Sequence, residues 1–196
     1  YLAMQFSKKG HDIILHGRNE ENLLQVQEEI KKEGVKSKYI IADLRIEDEL
    51  MFLCEEAKKE NIKILINNAG ITCPNLEFKE ISFEIIENMI KVNMIAPIKI
   101  INFLNPTLEN VININSMVGM EVKKNRTLYA ASKWGLRGFS DSLKKEECCF
   151  NILDVYPTNI KTWPDRENAM DVDFVTSRIY ESMLNKKSEL ILDGRK

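Results

Sequence analysis

Hydrophobic positions along the chain change period again and again. Leu2, Ala3 and Phe6 recur at helical spacing and Gly10 follows as a stop, which predicts a helix over 1–9. An apolar run over 12–16 then predicts a strand. The same alternation predicts helices over 20–33 (stopped by Gly34), 46–60, 82–104, 129–147 and 172–186. Between them it predicts strands over 37–42, 62–66, 110–115, 151–156 and 189–193. Pro97 sits inside the 82–104 segment, where it removes a backbone donor and predicts an interruption. Strict alternation of helix and strand argues for an α/β fold: a doubly wound parallel sheet in three layers, α/β/α. No repeat, low-complexity tract or linker divides the chain, so 1–196 reads as a single domain.

In such a sheet, ligands bind beyond the carboxyl ends of the strands. Gly17-Arg18, Asp43, Asn67, Ser116 and the 157–162 stretch each follow a predicted strand. Scattered in sequence, they converge on one edge. The bulk numbers narrow the partner class. A net charge of −2 gives no electrostatic case for nucleic acid or an anionic membrane. No apolar run approaches the roughly 18 residues of a membrane span, and no leader pattern is visible. The four cysteines, Cys54, Cys73, Cys148 and Cys149, have neither metal-ligand spacing nor the pattern of a disulfide framework. A reduced, cytoplasmic setting is the expectation. His11 and His16 flank one short strand, where surface or strand-end roles suit them better than catalysis.

Chemistry concentrates in Asn113-Ile114-Asn115-Ser116-Met117-Val118-Gly119 and in Tyr129-Ala130-Ala131-Ser132-Lys133. Tyr129 and Lys133 stand four apart in a predicted helix, so phenol and ammonium share a face. A free phenol has a pKa of about 10, too high to exchange protons readily at neutral pH. A neighbouring ammonium lowers it. Tyr129 could then hand a proton to a carbonyl oxygen, or take one from an alcohol, while Ser116 holds that oxygen by a hydrogen bond. These residues by themselves leave a plainer reading equally open: an exposed Tyr and Lys on a solvated helix, and a Ser that ends a strand.

Strand-Ser-x-x-Gly with Tyr-x-x-x-Lys thirteen positions after the Ser resembles the short-chain dehydrogenase/reductase family, in its single-domain branch. Three more stretches resemble it in the same order: Asn67-Asn68-Ala69-Gly70, Lys91-Val92-Asn93, and Tyr156-Pro157-Thr158-Asn159-Ile160-Lys161-Thr162. The resemblance implies a Rossmann fold and hydride transfer between a nicotinamide cofactor and a carbonyl or alcohol substrate. It implies Tyr129 as acid/base, Lys133 as the group that lowers its pKa and binds the nicotinamide ribose, Ser116 as the holder of the substrate oxygen, and Asn93 as support for a proton relay. Cofactor contacts are implied at Arg18, Asp43, Leu44, Asn67, Ala69, Gly70, Tyr129, Lys133, Pro157, Ile160 and Thr162. Gly17-Arg18 favours NADP(H) over NAD(H), since a guanidinium pairs with a 2′-phosphate. Asp43 has a second explanation as an N-cap of the helix near Ile46. Thr158 departs from the family's Gly, which puts the nicotinamide geometry in question. Trp163 reads as a substrate-side wall or a core aromatic. The small residues Ala130, Ala131, Ser132, Gly135 and Gly138 suit close helix packing, and the resemblance implies a homo-oligomer through this helix and that of Asn93.

The same family opens with a strand and a Gly-rich turn that brings the pyrophosphate to a helix N-terminus. Residue 1 falls within the helix after that turn, so we expect such a strand and turn before Tyr1. The 104–109 connection is also shorter than the family's. A catalytically silent scaffold or regulatory subunit on the same fold is the alternative function. A sugar-nucleotide epimerase shares Tyr-x-x-x-Lys but needs an added C-terminal substrate domain.

Overall fold

The computed structural model describes residues 1–72, 76–146, 148–162 and 168–195. Its helices are α1 (Leu2–Ser7), α2 (Glu20–Lys31), α3 (Glu47–Lys58), α4 (Phe83–Ile90), α5 (Ala96–Leu104), α6 (Thr127–Leu143) and α7 (Val172–Leu184). Its strands are β1 (Ile13–Gly17), β2 (Ser37–Ile41), β3 (Ile64–Asn67), β4 (Asn110–Ile114), β5 (Asn151–Pro157) and β6 (Glu189–Leu192). Every expected element is present, most of them shortened at the ends. Local chemistry sets the limits. The Asn19 side chain accepts from the Asn22 N–H at 2.8 Å to open α2, and Asp171 does the same for Phe174 at 2.9 Å to open α7. Gly34 takes φ +79° after α2, a left-handed value that suits glycine.

All strand pairs are parallel: β1 with β2, and β3-β4-β5-β6 in that order. Alternate residues serve opposite faces. Val111 and Ile152 join a core with Leu50, Leu53, Ile100 and Leu104 of α3 and α5. Their neighbours Ile112 and Leu153 join Phe6, Val175, Ile179 and Met183 of α1 and α7. Helices therefore cover both faces, and the layers are α/β/α. Gly135 lets α6 close on the turn that carries Met94, because a Cβ there would collide with the Met94 sulfur. This is the close packing expected of the small-sided helix.

One feature differs from expectation, and a second concerns the sheet. The 82–104 segment breaks one turn before Pro97, in a π-helical turn, Lys91–Ile95, where the Ala96 N–H reaches back to the Lys91 carbonyl. Pro97 is the cause: it has no N–H for the Asn93 carbonyl, and its ring crowds that carbonyl, so the preceding turn widens. The sheet is also in two parts. β1 and β3 face a shared cavity of about 1110 Å³ and do not pair with each other.

Candidate active site

β4 ends at Ile114, and the next two residues are fixed by a buried amide. The Asn115 side-chain oxygen accepts the Ser116 N–H at 2.9 Å, and its Nδ2 donates to the Lys133 carbonyl at 3.1 Å. Gly119 is required beside it, since a Cβ at that position would lie 2.6 Å from the Asn115 oxygen. Ser116 opens a short 3₁₀ turn, Met117–Gly119, with its Oγ accepting the Val118 N–H at 3.3 Å. The chain then returns into α6, which carries Tyr129 and Lys133 one turn apart. Ser116 acts on the Tyr129 phenol and lowers its proton affinity. The Lys133 Nζ lies 5.8 Å from the centre of the Tyr129 ring and donates to the Ile114 carbonyl at 3.0 Å.

Asn93 stands behind this group and is almost fully buried. Its amide clamps the Ile71 backbone at both ends, accepting from the N–H and donating to the carbonyl at 2.8 Å each. It also donates to Ser132 Oγ at 3.1 Å. The π turn gives Asn93 this inward aim. One amide thus ties the loop after β3 to α6, and every polar atom of it is satisfied. Gly70, in that loop, lies next to both groups: a Cβ there would make ordinary contact with Asn93 Oδ1 at 3.4 Å and Lys133 Nζ at 3.9 Å.

Burial controls the proton affinities. It pushes the Tyr129 phenol up, against the lowering effects of the Ser116 hydrogen bond and the Arg126 charge. It pulls the Lys133 ammonium down to about 8. Lys133, expected to lower the Tyr129 pKa, has its Nζ on a strand carbonyl. The Lys133 ammonium is drawn to the Ile114 carbonyl and lies over the ring, and Arg126, at the start of α6, is the cation that acts on the phenol. No pattern in the sequence marks Arg126, because it comes from the preceding loop.

Around the ends of β1, β2 and β3 lies a second cavity of about 190 Å³, bordered by Arg18, Asp43, Leu44, Ala69 and Gly70. Arg18 sits 3.6 Å from Asp43, and its side chain is 59% exposed. Arg45 holds Asp43 more firmly, from Nε at 3.0 Å to both carboxylate oxygens and from Nη2 at 2.5 Å to one. Asp43 is thereby held at a pKa of about 2, Arg45 first among the causes. The helix-cap explanation of Asp43 fails: the N-cap of α3 is Ile46, and the Asp43 carboxylate serves Arg45 instead.

Asn67, Pro157, Ile160 and Thr162 border the larger cavity. Ile160 bridges to Met170, and the Thr162 N–H folds back on the Ile160 carbonyl at 2.8 Å. Thr158 is not among the residues with positive φ, so no backbone strain follows from the loss of glycine there. Its hydroxyl instead accepts the Gly194 N–H at 2.9 Å. Trp163 lies outside the described residues. Among the described residues, no helix is long and apolar enough to cross a membrane.

A model of the short chain dehydrogenase family matches residues 1–170. An uncharacterised oxidoreductase of Staphylococcus saprophyticus is 33% identical over 196 residues, a match that covers 91% of this chain and 83% of that protein. A 3-oxoacyl-[acyl-carrier-protein] reductase of Aquifex aeolicus is 32% identical over 160 residues, covering 78% of this chain and 64% of that one. Among solved structures, a short-chain dehydrogenase from Sphingobium yanoikuyae in complex with NADPH superposes with a TM-score of 0.88 at 23% identity, over 97% of this chain and 81% of that one. An alcohol dehydrogenase from Thermococcus sibiricus with 5-hydroxy-NADP superposes with a TM-score of 0.90 at 17% identity, over 99% and 90%.

Proposed function

The chain belongs to the short-chain dehydrogenase/reductase family, and from that premise we propose that it is an oxidoreductase that moves a hydride between NADP(H) and a small carbonyl or alcohol substrate. The observation that carries this reading is the meeting of Ser116, Tyr129 and Lys133 at one sheet edge, with Asn93 locked behind them. Its relatives support the class of reaction: one is a 3-oxoacyl reductase, and structures of the same fold hold NADP or NADPH.

The residues present fit a dinucleotide. Arg18 offers a largely exposed guanidinium beside a small cavity, and Gly70 leaves an opening that any Cβ would narrow toward Asn93 and Lys133. In this reading Arg18 takes the 2′-phosphate, and Asp43, Leu44, Ala69 and Gly70 border the adenosine half. Asn67, Lys133, Pro157, Ile160 and Thr162 serve the nicotinamide half. When bound, NADPH supplies the hydride. Ser116 holds the substrate oxygen, and Tyr129 gives it a proton. The raised pKa of Tyr129 keeps the phenol protonated at neutral pH, the form that donates. Arg18→Ala is expected to lose the preference for NADPH over NADH. Charge-assisted bonds to a phosphate are worth roughly 1.5–3 kcal/mol, so the preference should fall about tenfold to a hundredfold. Equal dissociation constants for the two cofactors in the unmutated protein would remove the NADP assignment.

We also infer that the stretch of this cavity between the β1 and β3 backbones takes a further parallel strand, contributed by residues outside 1–196, and that the stretch bordered by Pro157, Ile160 and Thr162 serves the cofactor. The facing edges of β1 and β3 carry backbone groups that a buried sheet must satisfy, and a strand there would join both parts into one dinucleotide-binding domain. Hydrogen exchange on the full-length protein tests this. Amides of β1 and β3 should be as slow as those of β4, and fast exchange along both facing edges would contradict it.

A further inference from the structure

A charged residue lies in the middle of the apolar strand β5. Asp154 is fully buried between Leu153 and Val155, and the proposed chemistry does not use it. In parallel register it stands beside Asn113 of β4, which stands beside Asn67 of β3. Three polar side chains thus form a ladder across three adjacent strands.

Every bond in the ladder has a forced direction. Lys144 forms an ion pair with one Asp154 oxygen at 2.5 Å, and the carboxylate of an ion pair only accepts. Its other oxygen accepts from Ser140 Oγ at 2.9 Å and from Asn113 Nδ2 at 3.1 Å. Ser140 has then given its proton and accepts from Asn113 Nδ2 at 3.0 Å. Both Asn113 amide hydrogens are spoken for, and only its oxygen is left for Asn67. Asn67 must therefore donate, as it does from Nδ2 at 2.8 Å. With Nδ2 turned to Asn113, the Asn67 carbonyl oxygen is left without a bond in the ladder and is available, beside the second Nδ2 hydrogen, to the cavity it borders.

We propose that Asp154 is a positioning residue that sets the polarity of Asn67 from across the sheet, so that Asn67 presents an acceptor to a donor group on the nicotinamide side of the cofactor. The proposal rests on the NADP(H) reading for its functional consequence, but not for the ladder itself. An amide in place of the carboxylate, as in Asp154→Asn, would remove the direction. The substituted side chain could donate to Asn113, Asn113 could donate to Asn67, and Asn67 would then offer its NH₂ to the cavity.

Two measurements on the full-length protein test this. Nitrogen-15 NMR without cofactor follows the side-chain amide protons of Asn67 and Asn113. They should be slow to exchange in the unmutated protein and roughly tenfold faster in Asp154→Asn, where two orientations compete. NADPH titration should show Asp154→Asn binding about tenfold more weakly. Ser140→Ala, which removes a hydrogen bond from the same cluster but leaves Asp154 an acceptor, should bind as the parent does. In an Asn67→Ala background, Asp154→Asn should have no further effect. If Asp154→Asn does not fold, Asp154→Asn with Lys144→Gln, which also removes the ammonium that pairs with Asp154, carries the same comparison. Unchanged protection of the Asn67 amide in Asp154→Asn would overturn the proposal, as would a binding loss that persists in the Asn67→Ala background. A parent protein that binds no NADPH would fail the cofactor reading, while the exchange data would still decide the ladder.

Discussion

Tyr129→Phe is expected to abolish carbonyl reduction and to leave NADPH binding largely intact. The ring and its contacts persist, including the Lys133 ammonium 5.8 Å from its centre; only the hydroxyl is lost. Hydride transfer without a proton donor leaves an alkoxide, and general acid catalysis is worth roughly 10²–10⁴-fold. Turnover and cofactor affinity measured separately check the split. Full turnover by Tyr129→Phe on any good substrate would refute the assignment. Ser116→Ala supplies a contrast within the same experiment. The Ser116 hydrogen bond lowers the Tyr129 pKa, so its loss lets burial raise that pKa further. Reduction needs the protonated phenol, and the basic limb of its pH–rate profile should therefore move upward as the rate falls.

Lys133→Met is expected to weaken NADPH binding and, without cofactor, to stabilise the fold. Burial lowers the Lys133 pKa from 10.5 to about 8. Below about pH 8 both folded and unfolded chains carry the proton, and the folded chain bears the full cost of a buried ammonium. Between about 8 and 10.5 the unfolded chain keeps the proton while the folded chain releases it, so this residue makes stability rise with pH. Met fills a similar volume with no charge to desolvate. The variant should therefore unfold at a higher temperature at neutral pH and lose that rise. Denaturation midpoints from neutral pH to pH 10.5 check it. A variant that is less stable at neutral pH, or that keeps the parent's pH slope, would contradict the burial argument. Among the described residues the ammonium has one hydrogen bond, to the Ile114 carbonyl at 3.0 Å, which suits a group kept for a ligand at the expense of stability.

Helix and strand periods made the parallel α/β layers legible. The spacing from Ser116 to Tyr129 and Lys133 was legible because strand end and helix face are local properties. Side-chain pairing across the fold was not. Asp43 reads as a helix cap in one dimension, yet Arg45 curls back to take both its oxygens. Thr158 reads as a loss of backbone freedom, yet its hydroxyl receives an N–H from Gly194, 36 residues later. Lys133 reads as the partner of Tyr129, yet its nearest acceptor is a strand carbonyl at Ile114. The π turn around Asn93 moved the helix break away from the proline that causes it. An Asp inside Ile152-Leu153-Asp154-Val155 is itself a signal of buried partners, because an isolated charge in an apolar strand is too costly to keep.

NADPH oxidation by the full-length protein, followed against a panel of ketones and aldehydes with NADH as the comparison, tests the central claim most directly. Consumption of NADPH that depends on a carbonyl substrate, outpaces NADH and disappears in Tyr129→Phe is the predicted result. A protein that binds no nicotinamide cofactor, or that binds NADPH and reduces no carbonyl across the panel, would contradict it.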